Sequence, residues 1–80
     1  MSEPVIDVTE AIFLPNGKVD ITFSDGKNIV ADIKPLLVGP IFDEIFVTNI
    51  FDKGFVNPES GTLEWPNGAD IAPEALYELA

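Results

Sequence analysis

This 80-residue sequence predicts an α+β fold: an antiparallel three-stranded meander, then a second hairpin, with one or two short helices. Three observations predict it. Apolar and polar residues alternate with a period of two on either side of two glycine-containing turns, the mark of half-buried strands. A Pro-Glu-Ser-Gly loop further on is flanked by two more strand-like runs. Two other stretches open on proline and then repeat apolar residues at helical spacing. Residues 1–80 are expected to form a single small domain, and a chain of this length buries only about 60–65% of its unfolded surface.

The elements follow in order. In "VDITFSDGKNIVADI" a strict two-residue Asp25-Gly26 hairpin would oppose Phe23 to Asn28 and send the two apolar sets to opposite faces. A three-residue loop, Ser24-Asp25-Gly26, instead pairs Phe23 with Lys27, Ile21 with Ile29 and Val19 with Ala31. That register puts Val19, Ile21, Phe23, Ile29, Ala31 and Ile33 on one face, and it requires a type I turn with Gly26 left-handed in a bulge. The same logic applied to "LPNGK" gives a loop of Pro15, Asn16 and Gly17 that opposes Phe13 to Val19 and Ala11 to Ile21. Strands are therefore expected over 5–14, 18–24 and 27–34. Ile6, Val8, Ile12 and Leu14 fall on the other face of the first strand, which predicts cover on both sides.

Lys34-Pro35 ends the sheet. "GPIFDEIF" predicts a short helix with Gly39 at the cap and Pro40 at the first position, Ile41 and Ile45 one turn apart, and Asp43 and Glu44 near the positive end of the dipole. "GFVN" and "GTLEW" flank Pro58-Glu59-Ser60-Gly61 as the second hairpin. A second Pro-Asn-Gly triplet, Pro66-Asn67-Gly68, joins it to a last helix starting at Pro73, with Leu76 and Leu79 on one face.

Composition narrows function. Fourteen Asp and Glu against four Lys and no Arg leave a net charge of −10. Phosphate backbones are bound by clustered Lys and Arg that release counterions, and here Lys18, Lys27, Lys34 and Lys53 are scattered singly. Direct nucleic-acid binding is not expected, and an anionic membrane surface is disfavoured for the same reason. With no cysteine and no histidine there is no disulfide, thiol nucleophile, thiolate zinc site or imidazole base. No enzyme activity and no cofactor are expected. The acidic start "MSEPVIDVTEA" does not resemble a signal peptide, and the apolar run from Leu36 to Phe51 is broken by Gly39, Pro40, Asp43 and Glu44, so a cytoplasmic protein is expected.

Candidate sites are few. Asp20 and Asp32 project from one sheet face, and with Asp43 or Asp70 they offer carboxylates for a small ligand- or metal-binding domain. The same residues on the solvent side of a two-layer fold need no ligand. "WPNGAD" holds Asn67 and Gly68 at a turn, with Asp70 placed to accept backbone N–H bonds before the last helix. Trp65 is expected as a buried hinge packed near Leu76 or Tyr77. Phe42, Phe46, Phe51 and Phe55 crowd one stretch; an ordinary core can take up many such side chains, and the alternative is a surplus at the surface that marks a partner or self-association interface.

The run "TLEWPNGADIAPEALY" (Thr62 to Tyr77), together with "ITFSDGKNIVADIKPLL" (Ile21 to Leu37) and the Phe51 region, resembles the small prokaryotic family called domain of unknown function 2442. The resemblance implies a short α+β domain, frequently encoded beside another small protein in an antitoxin-like arrangement. Some relatives carry a helix-turn-helix after the domain, and with the sequence ending at Ala80 none is expected here. No catalytic residue is carried over. The expectation is a non-enzymatic, acidic interaction module with a small protein partner encoded nearby, self-association being the other use of the same surface. Its candidate residues are Trp65, Asn67, Gly68, Asp70, Phe42, Phe46 and Phe51.

Overall fold

In the computed structural model, which describes residues 6–79, three strands form an antiparallel sheet in the order β1-β2-β3: β1 Val8–Phe13, β2 Val19–Phe23 and β3 Asn28–Ala31. Both predicted registers are present. Phe13 opposes Val19 and Ala11 opposes Ile21; Ile21 opposes Ile29 and Val19 opposes Ala31. The turn glycines Gly17 and Gly26 have φ of 83° and 91°. A β-branched residue is strained in that conformation, which is why each loop ends on glycine. The strands are shorter than expected, and residue 5 of the first lies outside the described residues. The third stops at Ala31, shortly before a 3-10 turn over Lys34–Leu36 whose second residue, Pro35, cannot donate to a ladder.

The first strand departs from expectation. The register shifts between Val8 and Glu10, so Thr9 bulges and Val8 pairs with Phe23 on the inner face. Val8 is buried, whereas Ile12, on the outer face opposite Asp20, is 48% exposed. Ile6 and Leu14 are half-buried. The strand is therefore not covered on both sides: the bulge moves the one residue that needs burial across the sheet.

A second sheet holds β4 Phe55–Asn57 and β5 Thr62–Glu64 in an antiparallel hairpin. The two sheets meet where Val8 N donates to Gly61 O at 2.8 Å. Two helices complete the chain, α1 Pro40–Val47 and α2 Pro73–Tyr77. Proline opens each, and Asp43 stands in the first turn of α1. Helix α1 ends on Asn49 at φ 57°, with Ile50 N donating to Ile45 O (2.9 Å) and Asn49 N to Phe46 O (3.2 Å). These are the paired bonds of a Schellman cap, in which asparagine stands in for glycine.

One cluster fills the space between the large sheet and the other elements. Val19, Ile21 and Phe23 of β2 meet Ile45 of α1, Leu63 and Trp65 from the second hairpin, Ile71, and Leu76 of α2. Ile29 and Ala31 share that face but sit on the outer strand β3 and are only half-buried. Leu79, expected beside Leu76, is 39% exposed because α2 ends at Tyr77.

Candidate interaction surface

Trp65 sits at the centre of an aromatic group. It is 1% exposed and its indole N–H donates to Phe51 O at 2.9 Å. Phe51 stacks over it at 6.4 Å, while Phe13 and Phe42 meet it edge-on at 6.3 and 6.4 Å. The burial matches expectation, and Leu76, one of the expected neighbours, belongs to the same core cluster. Its aromatic partners come from β1, α1 and the segment after α1, while Tyr77 of α2 packs edge-on against Phe23 at 4.9 Å. Gly54 permits this packing. A Cβ there would lie 2.6 Å from Phe13 Cζ and 3.0 Å from the indole nitrogen, so no side chain fits.

Phe46 carries the group outward. Its ring stacks on Phe51 at 5.5 Å and 20°, and it is 42% exposed. Beside it on α1, Ile41 and Val47 are also exposed, Val47 at 83%, and Val38 just before the helix is open to solvent. Ile45 alone in α1 is fully buried. The exposed part of α1 thus mixes apolar side chains with the carboxylates Asp43 and Glu44. On the far side of Phe51 lies a cleft of about 360 Å³ lined by Phe13, Leu14, Pro15, Gly17, Asn49, Phe51 and Asp52. Lys34 Nζ stands 5.8 Å over the Phe51 ring.

The Trp-Pro-Asn-Gly turn holds this surface in place. Trp65 N donates to Ala69 O (2.9 Å), Gly68 N to Trp65 O (2.9 Å) and Ala69 N to Asn67 Oδ1 (3.1 Å). The chain then folds back along β5, with an antiparallel bridge between Glu64 and Asp70 and Ile71 N donating to Leu63 O. The turn is thus the tip of a further hairpin and not a simple link to the last helix. Thr62, buried and polar, is satisfied by donating its hydroxyl to Ile71 O. Asn67 Nδ2 reaches across to α1, donating to Ile41 O at 3.0 Å and Glu44 Oε1 at 3.1 Å. The acceptor role expected of Asp70 falls to Asn67: Asp70 is exposed and acts through its backbone.

Of the expected residues, Trp65, Phe42, Phe46 and Phe51 come together; Asn67 and Gly68 brace them, and Asp70 stands apart. The other carboxylates do not converge. Asp20 accepts from Asn28 Nδ2 (2.6 Å) and Asp32 from Lys34 N (3.0 Å), and the described residues contain no group of three or more Asp, Glu, His or Cys able to hold a metal ion. Phe13, Lys34, Asn49 and Gly54 were not anticipated. Only Asn49 had a readable signal, an asparagine two residues beyond the last helical position.

A second brace lies at the other turn. Tyr77 OH donates to Asp25 Oδ2 at 2.5 Å, and Lys27 Nζ lies 5.1 Å over the Tyr77 ring. The Tyr77 hydroxyl holds the Asp25 carboxyl below its ordinary pKa, with the Lys27 backbone N–H adding to the effect. The same bond raises the Tyr77 phenol above its ordinary value. No helix among the described residues is long and apolar enough to cross a membrane.

A family model described as "Protein of unknown function (DUF2442)" matches residues 8–80. Comparison with curated proteins and with solved structures gave no match.

Proposed function

The chain belongs to the DUF2442 family across residues 8–80, and from that premise we propose that it is a non-enzymatic protein-interaction module whose docking face is the outer side of α1. The observation that carries this reading is the set of exposed apolar residues Val38, Ile41, Phe46 and Val47 on and beside α1, of which Phe46 stacks on Phe51 and through it reaches the buried indole of Trp65. A rigid aromatic backing is what lets a small patch act as a binding anchor. The partner is a basic protein. Helix α1 carries Asp43 and Glu44 and no cation, within a chain of net charge −10, so Lys or Arg around an apolar anchor would be complementary. Two copies of this face would instead oppose their own carboxylates, which disfavours self-association.

Taken with the antitoxin-like gene arrangement that the family resemblance implies, the favoured partner is a small basic protein encoded beside this one. Co-expression with that neighbour and titration of the purified pair test the reading. A micromolar or tighter complex that Val47→Asp abolishes, with the fold unchanged, is the expected result. No complex, or one indifferent to Val47→Asp and Phe46→Ala, removes it.

A further inference from the structure

Three Asx-Gly turns share one set of bonds, and they differ in what surrounds the reactive atoms. In each, the glycine N–H donates to the residue three back: Gly17 to Leu14 O, Gly26 to Phe23 O and Gly68 to Trp65 O. In each, the Asx Oδ1 accepts from the residue two ahead, at Lys18, Lys27 and Ala69. Asn67 is further fixed by its two Nδ2 bonds to α1, and Asp25 by Tyr77. Asn16 is exposed and, among the described residues, makes only its bond to Lys18 N. A Cβ on Gly17 would lie 2.6 Å from Lys34 Nζ, so an ammonium rests against this glycine; the same position on Gly26 or Gly68 has nothing within 4 Å.

We infer that Asn16 is a site of spontaneous covalent modification, deamidation through a cyclic imide, promoted by Lys34 and much slower at Asn67. The Gly17 backbone nitrogen gives its proton to water or hydroxide and attacks Asn16 Cγ. A Cγ–N bond forms, the Cγ–Nδ2 bond breaks, and ammonia leaves. Water then opens the imide at either carbonyl, giving an aspartyl or an isoaspartyl linkage at position 16. Nothing is oxidised or reduced. Glycine offers no Cβ to block closure, and a cation beside Gly17 favours the deprotonated nitrogen that attacks. Closure also needs the side chain to swing toward Gly17. Asn16 need break one hydrogen bond to do so, whereas Asn67 must break three. Conversion places a new carboxylate between Pro15 and Gly17, two residues that line the cleft beside Phe51.

Incubation of the folded protein at mildly alkaline pH, followed by peptide mapping, tests this. The Asn16 peptide is expected to gain one mass unit and split into two isomers well before the Asn67 peptide changes. Lys34→Gln should slow Asn16 several-fold and Lys34→Arg should restore it. Glu44→Ala should speed Asn67 without touching Asn16. In urea the two positions should converge. Equal rates in the folded protein, a difference that persists in urea, or a Lys34→Gln protein that converts at the original rate would each overturn the proposal.

Discussion

The turn at Pro15-Asn16-Gly17 and the turn at Pro66-Asn67-Gly68 are spelled alike and bonded alike, with glycine φ of 83° and 91°. They are used differently. The first joins β1 to β2 and ends in solvent. The second is preceded by a buried tryptophan where the first has half-buried Leu14, and its amide nitrogen grips α1. Local chemistry thus fixes the shape of a turn, while the half of the asparagine amide that the turn leaves unspent decides whether it also ties distant parts together.

The largest test of that contrast is the residue before each turn. Trp65→Ala removes a fully buried indole and should cost about 3–5 kcal/mol, enough to leave the protein unfolded or molten at room temperature. Leu14→Ala should cost clearly less, and chemical denaturation measures both. An unchanged midpoint for Trp65→Ala would dissolve the distinction. Next come the asparagines. Asn16→Ala and Asn67→Ala each lose the turn bond, but the second also loses the grip on α1 and should cost about 1 kcal/mol more; equal losses would mean that the grip contributes nothing. The smallest effect is at the Asp25 turn, whose unspent oxygen holds Tyr77. Because the folded pKa of Tyr77 lies above its ordinary 10.0, its contribution is intact below pH 10.0 and is lost as pH rises through the raised value. Because that of Asp25 lies below 3.8, its contribution holds above pH 3.8 and is lost as pH falls through the lowered value. Tyr77→Phe should flatten the stability profile at both ends.

These turns also show what was legible beforehand. The registers of the meander followed from period-two patterning and glycine placement, since a one-residue slip would have turned Ile21 and Phe23 to water. The bulge at Thr9 left no such trace, because Val8 and Ile12 are both apolar and only the second sheet, meeting Val8 at Gly61, decides which turns inward. The aromatic partners of Trp65 were not legible for the same reason. They depend on where α1 and the segment after it lie over β1, a matter of long-range packing and of the gap at Gly54. The crowding of four Phe was readable, but not its division, with Phe42 and Phe51 half-buried and Phe46 and Phe55 exposed, because that depends on how α1 and the segment after it lie on the core.

The bond between Tyr77 and Asp25 spans 52 positions of the chain, and that from Asn67 to Ile41 spans 26. The meander turns close between neighbours and can form early, whereas joining ends so far apart carries an entropic cost that only a nearly assembled protein recovers. Helix α2 is therefore expected to dock late, after the barrier to folding has been crossed. A Tyr77→Phe protein should fold at close to the normal speed and come apart faster, so that the bond at the end of the chain governs how long the native state lasts once it has formed.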